Sequence, residues 1–99
     1  MLNLEKKMEN GSLTVALEGR LDTSTSPELE KELKASLDGV TALTLDFEKL
    51  EYISSAGLRV LLTAQKTMNK QGTMRILRVN DTIREIFEVT GFSDILTIE

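Results

Sequence analysis

The chain has 99 residues and a formal net charge of −4, from 16 acidic and 12 basic side chains. That length suits one domain, and a composition of 40% hydrophobic and 28% charged residues is typical of a globular chain rather than a disordered one. Because cysteine and histidine are both absent, disulfides, thiolate nucleophiles, the commonest general base and the commonest metal ligand are excluded, which argues against most enzymes and predicts no metal or cofactor.

The chain begins with two stretches in which apolar residues alternate with polar ones. Asn10 and Gly11 separate them. Asn-Gly between alternating runs is a strong hairpin signal, because both residues tolerate the positive φ of a type I′ turn. We therefore predict an antiparallel pair of strands at residues 2–9 and 12–18.

A helix is predicted to follow the hairpin. Ser26 is a suitable N-cap before Pro27, which needs no amide donor in the first turn. Thr25 with Glu28 forms an alternative capping box, so the sequence leaves the cap open by one residue. The helix is marked by one leucine per turn and ended by a glycine: Leu29, Leu33, Leu37 and Gly39.

Strands and helices then alternate to the end of the chain. The predicted elements are a strand over 40–47, a helix with the face Leu58, Leu61, Leu62, Gln65 and Met68 that ends before Gly72, a strand over 74–79, a helix from Asn80 or Asp81 to Gly91, and a short strand over 95–98. The order ββαβαβαβ indicates an α/β fold. Each β-α-β unit implies a right-handed crossover between parallel strands, so the hairpin supplies the antiparallel member of a mixed sheet.

The segment before the second helix carries the strongest functional signal. The third strand is expected to end near Phe47, a polar loop to follow, and Ile53, Ser54 and Ser55 to begin the helix. Loops beyond the carboxyl ends of strands commonly bind ligands and partners in open α/β sheets, and the free amides of a helix start favour an anion. A serine in this place serves either as an N-cap or as the carrier of a phosphate.

Gly57 lies in the first turn of that helix. Glycine costs about 1 kcal/mol relative to alanine in a helix interior. Its presence indicates either the close approach of a partner or of another backbone, or close packing against a neighbouring strand. Both interpretations remain open at this point.

The run Ile53-Ser54-Ser55-Ala56-Gly57-Leu58-Arg59-Val60-Leu61-Leu62 resembles the signature of STAS domains, the sulfate-transporter and anti-sigma-factor-antagonist family. It is most similar to the small stand-alone bacterial anti-sigma factor antagonists. Three further landmarks occur in the family's order: Gly19-Arg20-Leu21-Asp22, Gln71-Gly72 and Thr90-Gly91-Phe92. The resemblance extends over essentially the whole chain and implies a single STAS domain at residues 1–99.

The resemblance implies a partner switch. In that family the unmodified antagonist binds an anti-sigma factor, which is a serine kinase, and so frees a sigma factor. The kinase phosphorylates the antagonist on a hydroxyl residue that matches Ser55, and a phosphatase reverses the modification. Asp22 matches the family's acidic residue near the same surface. The implied contact surface comprises Asp22, Ser54, Ser55, Ala56, Gly57, Leu58 and Arg59.

Two departures from the family pattern leave alternatives open. Ser54 replaces a frequent aspartate, which makes it a second candidate acceptor, and Ala56 replaces a frequent serine or threonine. These changes are compatible with a STAS accessory subunit that binds the ATPase of a lipid-transporting ABC complex. A nucleotide-binding domain with a phosphate at Gly57 is a third hypothesis, although the site lacks the lysine and metal ligands of nucleotide chemistry.

The remaining charged residues predict little chemistry. Asp22, Asp46 and Glu48 are expected to be solvated loop acids rather than a metal site. Arg59 either faces an acidic partner or is simply solvated, and Leu58 has the phase of a core residue but is an alternative apolar anchor. No basic cluster points to nucleic acid, and no apolar run or basic leader points to membrane insertion or secretion, so we expect a cytoplasmic protein.

Overall fold

A computed structural model describes residues 2–99. Its sheet has the spatial order β1-β2-β3-β4, in which β1 and β2 are antiparallel and β2, β3 and β4 are parallel. The strands are β1 (Leu2–Glu9), β2 (Ser12–Leu21), β3 (Ala42–Ile53) and β4 (Thr73–Leu77), and the helices are α1 (Ser26–Ser36), α2 (Ser55–Gln71) and α3 (Asp81–Thr90). The predicted α/β class and the mixed sheet with an N-terminal antiparallel hairpin are confirmed.

The hairpin turn has the predicted geometry. Asn10 and Gly11 have φ values of 49° and 83°, the left-handed pair that a type I′ turn requires. β2 runs on to Leu21 rather than ending at residue 18. The end of β2 therefore reaches the region in which the functional signal was found.

β3 differs most from the prediction. It continues to Ile53, so the predicted end near Phe47 and the predicted polar loop are wrong. The register between β2 and β3 shifts twice, and at each shift β3 carries one residue more than β2. These bulges keep Phe47, Leu50 and Ile53 buried although they are three residues apart. A period-2 pattern breaks at each bulge, which explains why alternation alone ends the strand too early.

The start of α1 corrects both proposed caps. Thr25 occupies the N-cap, but its side chain makes no capping hydrogen bond, so neither the Ser26 cap nor the box with Glu28 forms. Instead, Thr25 Oγ1 accepts from the amide of Asp22 at 2.8 Å, and Ser26 Oγ donates to the carbonyl of Asp22 at 2.6 Å. The hydroxyl groups of Thr25 and Ser26 bond to the backbone of Asp22 in the loop before α1, so neither of them caps the helix.

Of the C-terminal elements, α3 has its predicted limits, but the last strand does not form as predicted. Asn80 caps α3 through its Oδ1, which accepts from the amide of Ile83 at 2.8 Å, and Gly91 ends the helix at φ 80°. The predicted last strand is reduced to one parallel bridge between Ile98 and Ile76. Residues Phe92–Asp94 form a short 3₁₀ turn before this bridge. Within residues 2–99, the hydrogen bonds of this segment to β4 come from residues 97–99 alone.

One hydrophobic cluster joins the sheet to all three helices. It contains alternate residues of the strands and one face of each helix, including the predicted leucines Leu29, Leu33 and Leu37. The opposite face of the sheet carries polar residues that are mostly exposed, such as Thr14, Glu18 and Arg75. Within residues 2–99, no helix is long and apolar enough to cross a membrane.

Candidate functional site

The ends of β2 and β3 bring two candidate segments together. Leu21 and Ile53, the last residues of these strands, are partners in the parallel register. The amide of Ser54 donates to the carbonyl of Leu21 at 2.9 Å. Asp22 and Ser54 therefore begin two loops side by side at the carboxyl edge of the sheet, where open α/β sheets place their binding sites.

Asp22 shapes its own loop. Its Oδ1 accepts from the amide and the hydroxyl of Ser24, at 3.1 and 2.9 Å, and from the amide of Thr25 at 3.1 Å. The hydroxyl of Ser24, the largest contributor, and the other donors lower the pKa of Asp22, so its carboxylate is charged at neutral pH. About a third of the side chain remains accessible, since it is 30% exposed. Asp22 thus presents a fixed negative charge at the edge of the site.

The two serines at the start of α2 have different surroundings. Ser54 is the N-cap residue, has extended backbone geometry and is half-buried, and its Oγ accepts from the amide of Gly57 at 3.5 Å. Ser55 is the first residue of the helix and is exposed. Within residues 2–99, the hydroxyl of Ser55 makes no hydrogen bond. Of the two hydroxyls, that of Ser55 is the accessible one.

Gly57 and Leu58 lie in the core, which corrects their assignment to the contact surface. A Cβ atom at Gly57 would lie 2.8 Å from Ile53 Cγ1 and 2.8 Å from Leu21 Cγ. Of the two interpretations of this glycine, packing against neighbouring strands is therefore the correct one. Leu58 is only 5% exposed and cannot serve as an apolar anchor for a partner.

The remaining residues give the surface of the first turn of α2 a positive charge and no negative one. Ala56 is half-buried, and Arg59 is exposed four residues after Ser55, on the same side of the helix. The first turn contains no acidic residue. The first backbone hydrogen bond of the helix runs from the amide of Leu58 to the carbonyl of Ser54, at 3.0 Å, and the amide of Gly57 donates to Ser54 Oγ. Within residues 2–99, the amides of Ser55 and Ala56 are therefore the ones left free at the positive end of the helix dipole.

An aromatic–cation pair borders the site and was missed in the sequence. The guanidinium of Arg20 lies 4.6 Å from the centre of the Tyr52 ring. The two residues are partners in the register, directly before Leu21 and Ile53, and face away from the core. Because the bulges of β3 create this pairing, only the interruption of the alternation after Phe47 hints at it in the sequence.

The other acids are separate from the site. Asp46 forms a bidentate ion pair with Arg78, with distances of 2.8 and 3.2 Å, and its Oδ1 also accepts from the amide of Glu48 at 3.0 Å. Within residues 2–99, the carboxylate of Asp22 instead accepts from Ser24 and Thr25 of its own loop, and it makes a long ion pair with Arg20 Nε at 4.0 Å. Within residues 2–99, no group of three or more acidic side chains is arranged to hold a metal ion.

Comparison with known proteins identifies the family. Residues 3–99 match the model of the STAS domain. The chain belongs to the STAS domain family. It is 37% identical over 91 residues to the BtrV protein of Bordetella bronchiseptica, covering 90% of this chain and 78% of that protein. It is also 32% identical over 99 residues to the anti-sigma-B factor antagonist of Staphylococcus aureus, covering 98% of this chain and 92% of that protein.

Solved structures show the same STAS fold. The anti-sigma factor antagonist SpoIIAA in its unphosphorylated form superposes with a TM-score of 0.77 at 18% identity, over 98% of this chain and 87% of that one. The phosphorylated form of the same Bacillus protein superposes with a TM-score of 0.76 at 19% identity, over 98% and 91%. At these identities the likeness concerns the fold alone.

Proposed function

We propose that this STAS domain is an anti-sigma factor antagonist that binds an anti-sigma factor, a serine kinase, and so releases a sigma factor. Phosphorylation of Ser55 ends the binding, and a phosphatase restores it. The observation that carries the proposal is the exposed, unbonded hydroxyl of Ser55 at the start of α2, beside the fixed charge of Asp22. The similarity to the anti-sigma-B factor antagonist of S. aureus supports it.

Ser55 is the favoured acceptor over Ser54. The hydroxyl of Ser54 faces the amide of Gly57 and lies half-buried at the cap, so its phosphorylation would replace the cap. The hydroxyl of Ser55 gives up no hydrogen bond within the described residues. In the transfer, Ser55 Oγ attacks the γ-phosphorus of ATP, ADP leaves, and the kinase takes the hydroxyl proton. The domain is the substrate of this reaction and not the enzyme.

A phosphate on Ser55 would act on the interface rather than on the fold. It adds a charge of about −1.5 to −2, which the free amides at the start of α2 can accommodate without rearrangement. In a complex, the same charge would have to be desolvated without a partner, at a cost of several kcal/mol. Because about 1.4 kcal/mol is a tenfold change, we expect the affinity to fall by about a hundredfold or more.

The proposed contact surface consists of the accessible members of the predicted set: Asp22, Ser54, Ser55, Ala56 and Arg59. Gly57 and Leu58 support it from the core. The pair of Arg20 and Tyr52 continues the surface onto the open face of the sheet. Arginine and tyrosine are frequent in the energetically dominant parts of interfaces, so we include this pair among the contacts.

Affinity capture from the source organism tests the partner. The baits are the unmodified chain, Ser55→Ala and Ser55→Asp, with Ser54→Ala and Ser54→Asp as matched controls. We expect the unmodified chain and Ser55→Ala to retain a serine kinase of the anti-sigma type and Ser55→Asp to lose it. Ser54→Ala and Ser54→Asp should differ from each other in kinase binding less than the two Ser55 variants do. Capture of an ABC ATPase without a kinase would instead favour the accessory-subunit function.

Phosphate mapping tests the site. The captured kinase is incubated with ATP and the chain, and peptides are analysed by mass spectrometry. One phosphate on Ser55 is expected, and its removal by a phosphatase should restore binding. Modification confined to Ser54 or to another residue would disprove the assignment of Ser55, even if the kinase remained the partner.

A further inference from the structure

β1 leaves one edge of the sheet unpaired. It pairs with β2 on one side, and none of its backbone groups bonds on the other side within residues 2–99. Glu9 and Ser12 flank a two-residue turn and so form a hydrogen-bonded pair. Because such pairs alternate with non-bonded ones, the outward N–H and C=O groups belong to Leu2, Leu4, Lys6 and Met8.

We propose that this edge binds a second copy of the chain, antiparallel, with the twofold axis at Lys6. In this register Leu4 lies opposite the Met8 of the other copy, and Glu5 lies opposite its Lys7; each of these pairs occurs twice because the arrangement is symmetric. Lys6 lies on the axis, opposite the Lys6 of the other copy. The sequence from Leu4 to Met8, apolar-acid-base-base-apolar, is therefore complementary to itself on both sides of the central Lys6.

Neighbouring registers lack this complementarity. A shift that places the axis at Glu5 sets two glutamates opposite each other and Leu4 opposite Lys6. A shift that places the axis at Lys7 sets two lysines opposite each other and Glu5 opposite Glu9. Like charges directly across a strand pair are destabilising. The register centred on Lys6 has one such pair, Lys6 with Lys6 on the axis, but it also has two pairs of Glu5 with Lys7, whereas its neighbours have no opposite-charge pair. The charges therefore favour the register centred on Lys6.

Lysines on an edge strand usually discourage pairing, and two lie in the middle of β1. Here each has an acidic partner. Lys6 forms an ion pair with Glu32 of its own α1 and donates to Ser36 Oγ at 3.2 Å, so it enters the dimer already neutralised. Lys7 meets Glu5 of the other copy. The pairing also covers Met8, which is 53% exposed in the single chain.

The interface would be small, with about six backbone hydrogen bonds around the axis. It lies at the weak end of protein interfaces, so we expect the dimer to form between about 0.1 and 1 mM and to dissociate at tens of micromolar. The edge lies outside the Ser55 surface. A dimer would therefore present two such surfaces, and the proposal is independent of the proposed function.

Charge exchange tests the dimer by sedimentation equilibrium of the purified chain up to about 1 mM. Glu5→Lys and Lys7→Glu should each raise the dissociation constant about tenfold, and the double variant should restore the original value. Glu85→Lys and Lys66→Glu, on exposed faces of α3 and α2, are controls for net charge and should leave the constant unchanged.

Met8→Pro is an independent test. It removes an outward amide while leaving the hydrogen bonds between β1 and β2 intact, and proline is tolerated on the solvent side of an edge strand. We expect it to abolish the dimer with an unchanged circular dichroism spectrum. A chain that stays monomeric at the highest concentration, or a double variant that does not recover, would overturn the proposal.

Discussion

Replacing Gly57 with alanine tests the packing that holds the candidate site in place. The added Cβ would lie 2.8 Å from Ile53 Cγ1 and 2.8 Å from Leu21 Cγ. Both neighbours are essentially inaccessible, at 1% and 0% exposure, so neither can swing out to make room. Overpacking costs about 1–3 kcal/mol, and two contacts below 3 Å place this case in the upper part of that range, at about 2–3 kcal/mol; alanine recovers at most about 1 kcal/mol of helix propensity.

We therefore expect Gly57→Ala to lower the free energy of unfolding by about 1–2 kcal/mol, which corresponds to a fall in Tm of about 5–15 °C for a domain of this size. Urea unfolding followed by circular dichroism measures the loss. In the Leu21→Ala background the clash with that side chain is absent, so the same substitution should be less damaging there. A Gly57→Ala variant as stable as the parent, or an equal loss in both backgrounds, would refute the packing argument.

Two further predictions concern stability. Asp46→Asn breaks the bidentate pair with Arg78, whose side chain is 57% exposed, and we expect a loss of about 1 kcal/mol in urea unfolding at pH 7. Arg78 is the first cause of a pKa of Asp46 below its ordinary 3.8, so this stabilisation is present above about pH 4 and is lost as the pH falls through the folded-state pKa. The deficit of the variant should therefore shrink in acid, and a deficit independent of pH would contradict the assignment. Asn80→Ala removes a 2.8 Å cap hydrogen bond and a 2.9 Å hydrogen bond to the carbonyl of Leu50, so it should lower the free energy of unfolding by about 2 kcal/mol. Ser54→Ala removes a cap hydrogen bond of 3.5 Å and should cost only about 0.5 kcal/mol. The opposite ranking in urea unfolding would show that the length of a cap hydrogen bond does not determine its contribution to stability here.

Elements with a local signal were predictable from the sequence. The turn at Asn10 and Gly11, the cap at Asn80 and the stop at Gly91 each depend on the backbone preferences of the residue itself. The start of α1 was not predictable in the same way. The hydroxyl groups there are used by Asp22, and this competition between a helix cap and a loop is decided by tertiary geometry.

The site was predictable in part for the same reason. Serines before an amphipathic helix place Ser55 at its first turn, and the structure agrees. The meaning of Gly57 was open because its neighbours, Leu21 and Ile53, belong to strands whose register no local pattern specifies. The pairing of Arg20 with Tyr52 was out of reach because it depends on both bulges of β3.

Those bulges also determine where Ser55 lies. β3 has two more residues than β2 between the first shift in register and the pair formed by Leu21 and Ile53. Each extra residue is absorbed at its bulge, so Leu50 after the first bulge and Ile53 after the second both face the core. Straight pairing onward from Ala16 and Asp46 would set Glu51 opposite Leu21, so it is the bulges that bring Ile53, and with it the start of α2, beside Leu21. The presentation of Ser55 thus depends on a strand that lies before the signature residues and contains none of the predicted acceptors.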